Sequence, residues 1–162
     1  SDGINDFEWE AFTAGQNYTC AIEKQDPTFA FDSRYLYCWG SNQHGQINPL
    51  TIGGNVLAPA VVGSGASCAG STCNYTFQAF SSVSAGAEHV CAVKTSESEF
   101  AYQGAVFLGA THTPTNEVGC FGADQFNQHG VAQASQALPA GQTVLGVSAG
   151  AYFTAMLVYM GN

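Results

Sequence analysis

The segment AGQNYTCAI at Ala14–Ile22, answered by YCWGSNQHGQ at Tyr37–Gln46, decides how this chain reads. It is written again as AGAEHVCAV at Ala85–Val93, answered by GCFGADQFNQ at Gly119–Gln128. A third version, AGAYFTAML at Ala149–Leu157, has no answering segment, and five residues follow it. The offsets are 71 residues from Gly15 to Gly86 and 64 from Gly86 to Gly150. Repeats of this size mean one supersecondary unit each. In the third version the aligned cysteine, Cys20 and then Cys91, has become Ala155. The segment that would carry its partner cysteine is missing as well.

Around these segments the pattern is that of short strands. Each Ala-Gly step permits a tight bend before an apolar stretch: TCAI, VCAV and TAML. YLYCWG and EVGCFG read as the answering strands. FEWEAF, FQAFSSVS and TVLGVS precede the Ala-Gly steps and read as strands too. Each version then supplies three to four antiparallel strands, which is a propeller blade rather than a helix pair. The expectation is a single all-β domain over residues 1–162, built of about two and a half propeller-like blades. The blades fall at residues 7–50 and 78–132, with a half-repeat at 142–160. Residues 47–77, rich in Gly, Ser, Ala and Pro, and residues 94–117 are expected as loop inserts. Loops projecting from a rigid scaffold commonly carry recognition.

Composition narrows the function. A chain of 162 residues is one ordinary domain. Only 9% of its residues are charged, against about 25% in a typical globular protein. The surface must therefore be built from Ser, Thr, Asn, Gln and Gly. The net charge is −9, with one Arg and two Lys. That argues against a nucleic-acid partner, since phosphate binding needs clustered cations. It also disfavours an anionic lipid surface. Ser1–Glu10 is acidic and lacks an apolar run, so any secretory leader is expected to have been removed. Val144–Met160 is uncharged over 17 residues, short of the roughly 20 a membrane span needs. Its match to the earlier versions makes it a pair of buried strands.

Six cysteines allow fifteen connectivities. The repeat reduces them: Cys20 and Cys38 occupy the slots of Cys91 and Cys120. Adjacent strands of a hairpin bring such Cβ atoms to bridging distance. We therefore expect Cys20–Cys38 and Cys91–Cys120, with Cys68 and Cys73 closing a local loop. Each larger loop stabilises by roughly 3 kcal/mol in the loop-entropy account. Zinc is disfavoured, because Cys68-x₄-Cys73 has no second pair. Loss of the cysteine in the version lacking a partner strand favours disulfides over free thiols, and hence an oxidising compartment. Two glycosylation sequons agree: Asn17-Tyr18-Thr19 and Asn74-Tyr75-Thr76. Asn74 sits in a Ser/Gly-rich stretch and is the better glycan candidate, whereas Asn17 is at the entry to a strand.

Chemistry-bearing side chains form no recognisable constellation. His89 fills the slot of Tyr18 and Phe153, which a packing role explains. His44 and His129 stand near turn glycines and His112 in an insert, without the spacing of metal ligands. The acidic start, Asp2, Asp6, Glu8 and Glu10, lacks the glycine and spacing of a calcium loop. No serine lies in a GxSxG elbow, and GSGASCAGS has no Lys nearby to make a phosphate cradle. No catalytic residue, metal or cofactor is assigned.

AGQNYTCAI with YCWGSNQHGQ, and more loosely AGAEHVCAV with CFGADQFNQHG, resemble the regulator of chromosome condensation repeat family. That family's pattern is an Ala-Gly or Gly-Gly step, an aromatic or His, and Thr-Cys-Ala-Leu. After a turn it continues with an aromatic, often Cys-Trp-Gly, a polar pair and Gly-Gln. The resemblance implies propeller blades, normally seven in one chain, whereas this chain holds about two and a half. Family members include a nucleotide exchange factor, a photoreceptor, a β-lactamase inhibitor and receptor ectodomains. The exchange factor's chromatin setting conflicts with this charge balance. The photoreceptor's tryptophan cluster has no counterpart in Trp9 and Trp39 alone. Cysteine-bearing hairpins are closer to the extracellular members.

A blade that stops after its second strand exposes unpaired backbone groups. Either a longer propeller supplies the rest or another subunit does, and Ala155 favours the second. The functional expectation is an extracellular, non-catalytic structural glycoprotein that self-assembles, as ring or filament, through open blade edges. The alternative is a lectin-like or receptor-like surface module that recognises a protein or glycan ligand through its two inserts.

Overall fold

The computed structural model describes residues 8–28, 30–47, 52–125 and 135–161. The readings made on Asp2, Asp6 and His129 therefore lie outside the described residues. Within the described residues the chain is all-β.

The first sheet has the order β1-β2-β3-β4: β1 (Trp9–Ala14), β2 (Tyr18–Glu23), β3 (Leu36–Ser41) and β4 (Asn55–Val61). The second runs β5-β6-β7-β8-β9: β5 (Gly65–Ala69), β6 (Thr72–Ala85), β7 (His89–Gln103), β8 (Val106–Gly122) and β9 (Ser135–Ala137). The third is the hairpin β10 (Gln142–Ala149) and β11 (Thr154–Met160). Among the described residues all strand pairings are antiparallel, and none of the sheets is closed. Every strand expected at an Ala-Gly step is present. No helix among the described residues is long and apolar enough to cross a membrane.

The three disulfides are Cys20–Cys38, Cys68–Cys73 and Cys91–Cys120. Each joins directly opposed residues of neighbouring strands, β2 to β3, β5 to β6 and β7 to β8, with Cα atoms 4.1 Å apart. That spacing belongs to a non-hydrogen-bonded pair, where side chains approach most closely. The register of each hairpin is thus fixed covalently as well as by its hydrophobic face.

The sheets pack face to face. Tyr18, Cys20, Ile22, Leu36 and Cys38 of the first sheet form one core with Phe80, Val90 and Ala92 of the second. On the opposite face of the second sheet, Cys91, Val93, Val118 and Cys120 pack against Val144, with Val147 beside it. β7 is therefore apolar on both faces, which is why HVCAV reads as a continuous run rather than an alternation.

The inserts differ from expectation. Instead of irregular loops, they are strands β4 and β5 and the outer parts of β6, β7 and β8. Strands of 14 to 17 residues extend past the core as an arm. Register shifts at Ala79/Phe80, Phe80/Ser82 and Lys94/Ser96 mark where the arm leaves the packed region. Such bulges bend a strand and raise its local twist. Period-two alternation across these segments (Tyr75 and Phe77, Phe100 and Tyr102) is the signal that their Gly and Ser content obscured.

The long β2–β3 connection is tied to this junction. Asp32 accepts from Arg34 Nε at 2.8 Å and Nη2 at 2.7 Å, and from Thr95 Oγ1 at 2.6 Å. Partial burial raises the Asp32 carboxyl, but the bonds from Arg34 and Thr95 outweigh it and hold the group below its ordinary value. Lys94, buried at the base of the arm, meets Glu117 at 2.6 Å.

Phe80 sits at the junction and is fully buried. Phe80→Ala is expected to lower unfolding free energy by about 3–5 kcal/mol, read from urea titration. An unchanged midpoint would show that the two sheets do not share this core.

Candidate functional site

The candidate site is the row of three Ala-Gly turns and the hairpin at its end. Each turn closes on itself. Gly15 N donates to Tyr18 O at 2.9 Å, Gly86 N to His89 O at 2.7 Å, and Gly150 N to Phe153 O at 2.8 Å. The turns then bond to one another. Gln16 N donates to Ala87 O at 3.1 Å and Ala87 N to Ala151 O at 3.4 Å. Bonds in the opposite direction recur beside them: Ala85 N donates to Thr13 Oγ1 at 3.1 Å, and Ala149 N to Ser84 Oγ at 2.9 Å. Thr13 and Ser84 hold the same place two residues before the glycine. Sequence reasoning passed over them, and their hydroxyls next to Ala-Gly were the available signal. A shallow groove of about 330 Å³ runs along the three turns.

This spacing explains the glycines better than the bend does. A Cβ on Gly15 would overlap the Tyr18 ring and stand 2.6 Å from Gly86 O, and one on Gly86 would overlap the His89 ring and stand 2.5 Å from Gly150 O. The slot ring of the same hairpin and the carbonyl of the next turn together leave room only for a residue without a side chain.

The side chain three residues after each glycine shows the same succession. Tyr18 is 3% exposed and donates its hydroxyl to Gly86 O at 3.2 Å, with His89 O also within reach. His89 is fully buried, and its Nε2 lies 2.9 Å from Thr154 Oγ1. Thr154 Oγ1 also lies 3.3 Å from Cys91 Sγ. A bridged sulfur has no hydrogen to give, so Thr154 donates to Cys91 and accepts from His89. Thus the second turn caps Tyr18 with its carbonyls, and the start of β11 caps His89 with a hydroxyl. Phe153, in the same slot of the third hairpin, is 63% exposed. One turn further on, Ile22 and Val93 are 1% and 2% exposed, whereas Leu157 is 63% exposed. The expectation that Val144–Met160 forms a pair of buried strands therefore holds for the strands and fails for the burial. β10 packs inward through Val144 and Val147, and β11 through Thr154.

β2 lies between β1 and β3, and β7 between β6 and β8. Among the described residues β11 pairs only with β10, leaving its other edge open.

The remaining sequence candidates scatter. His44 Nε2 meets Glu88 at 3.2 Å. His112 Nδ1 meets Ser98 Oγ at 2.9 Å on the arm. No group of three or more His, Cys, Asp or Glu side chains is placed to hold a metal ion among the described residues. Asn74 lies half-buried within β6, paired to Ser67 and Ala101, whereas Asn17 is exposed in its turn. The loop expected around Asn74 is therefore a strand, and the strand entry expected at Asn17 is an exposed turn.

A second concave feature lies on the arm. Phe31, Tyr35, Tyr75, Phe77, Phe100 and Tyr102 line a cleft of about 480 Å³. Phe31 stacks on His112 with ring centroids 4.3 Å apart, and Tyr75 meets Tyr102 edge-on at 5.7 Å.

A scan against protein-family models finds none that matches this chain, and a search of curated proteins returns no match.

Burial pushes the Tyr18 phenol well above its ordinary pKa of 10, so it stays a donor. The unfolded chain then releases this proton at lower pH than the folded one. The stabilisation is complete below pH 10 and falls as pH rises past it. Tyr18→Phe is expected to cost about 1–2 kcal/mol at pH 7 and to flatten part of the alkaline loss of stability. Denaturant titrations between pH 7 and 11 check both, and an unaltered alkaline slope would contradict the assignment.

Proposed function

We propose that this chain is an extracellular, non-catalytic structural glycoprotein whose hairpins are propeller-like blades of the regulator of chromosome condensation type and which self-assembles through them. One observation carries the reading: Phe153 and Leu157 are exposed where their counterparts Tyr18, His89, Ile22 and Val93 are buried. Among the described residues nothing lies over this face of the third hairpin. Exposed apolar area of this kind marks an interaction surface. The open edge of β11 adds backbone donors and acceptors ready for strand addition.

The rest of the chain supports this setting. Three disulfides fit an oxidising compartment. Asn17 offers an exposed sequon. Each of the three Lys and Arg side chains has a carboxylate partner: Lys24 with Glu8, Arg34 with Asp32 and Lys94 with Glu117. That leaves no clustered cations for a polyanion.

A specific feature favours a second reading, a lectin-like or receptor-like module. The arm cleft places six aromatic rings around one concavity, and aromatic lining with few polar groups is typical of ligand sites. Under this reading a panel of glycans and secreted proteins contains a ligand whose binding Tyr102→Ala weakens at least tenfold without altering oligomeric mass. A panel without any ligand counts against it.

For the leading reading, light scattering across a wide concentration range should give mass rising in multiples of 16.9 kDa. A single 16.9 kDa species at every concentration would contradict it.

A further inference from the structure

The two internal contacts between sheets are directional, and their unused halves match. Resting on the self-assembly reading, we infer that the third hairpin of one copy seats the first sheet of a second copy, head to tail. The contact would repeat the geometry that already joins the first sheet to the second and the second to the third.

Phe12, Val83 and Val147 hold the same place relative to the Ala-Gly step. Val83 packs onto the core shared with the preceding sheet, and Val147 does the same one unit later. Phe12 has no preceding sheet among the described residues and is 81% exposed. Its face is aromatic. Phe12 and Tyr37 both pair with Ala21, so they share one side of the sheet. Trp9 joins them, with its ring 5.6 Å from Tyr37 and 6.2 Å from Trp39. The opposite end offers Phe153 and Leu157.

The polar pattern is left over in the same sense. Ala85 N and Ala149 N each donate to the hydroxyl of the preceding unit, Thr13 and Ser84. The next acceptor in that series is Ser148 Oγ, and it is exposed. The donor with no preceding unit among the described residues is Ala14 N, on an exposed residue. The fit assigns Ala14 N of one copy to Ser148 Oγ of another. Two different surfaces meet, so the contact is heterologous. It produces a ring if the rotation closes and a filament if it does not.

Two exposed substitutions separate the ends: Phe12→Glu blocks the head and Leu157→Glu the tail. Each places a charge in an apolar contact and is expected to weaken self-association at least tenfold. Each variant alone should remain monomeric by light scattering, with unchanged circular dichroism. An equimolar mixture should give a one-to-one dimer, because each variant keeps the end that the other lacks. If Phe12→Glu alone forms dimers as readily as the unmodified chain, the contact is tail to tail and the head-to-tail inference is overturned. A mixture that stays monomeric overturns it as well. If the unmodified chain never associates, the self-assembly reading falls with it.

Discussion

The structure depends on how close one backbone comes to another at the Ala-Gly turns. Gly86 O lies within 2.6 Å of where a Cβ of Gly15 would be, and Gly150 O within 2.5 Å of where one of Gly86 would be. That approach fixes the distance between successive sheets at one end. It also puts the Gly86 and His89 carbonyls over the Tyr18 side chain of the hairpin before them. The buried Tyr18 hydroxyl therefore finds its acceptors in the next unit rather than its own. Burying such a hydroxyl without a partner would cost a few kcal/mol. Fold and stacking are in this sense one problem: the first hairpin is satisfied only with the second against it.

The disulfides act on a different axis. Each lies within a sheet and secures neighbouring strands, while the contacts between sheets are apolar and hydrogen-bonded. The second sheet is covered on both sides, and its central strand has lost the alternation of a half-exposed strand. The third hairpin keeps apolar residues on the side that faces away from the second sheet. No charge falls between Val144 and Met160 on either side of that hairpin.

The Ala-Gly motif made the strands and the disulfide pairs legible in the amino-acid sequence. Hairpin register follows from local pattern, and a cysteine at a repeated slot can have few partners. What escaped was long-range. Thr13 and Ser84 look like ordinary strand hydroxyls until a neighbouring turn supplies an N–H. The Asp32–Arg34–Thr95 cluster joins residues 63 apart, and no spacing rule announces it. The arm was hidden for another reason. Its Gly, Ser and Thr content resembles a loop, and the aromatic alternation that gives it strand character is spread over three segments. The loop expected around Asn74 is likewise a strand, β6, paired on both sides.

The bulges at the base of the arm have a consequence of their own. Past Lys94/Ser96 the arm still answers to the β2–β3 connection, through Phe31 and Tyr35 against Phe77, Phe100 and His112. Pairs of residues can be added at the tip of the hairpin, between Tyr102 and Phe107, without shifting these contacts. The Cys68–Cys73 bridge travels with the arm and staples it locally. The arm is thus a spacer of adjustable length on a scaffold of fixed pitch. Its reach and the packing of the body can be tuned separately.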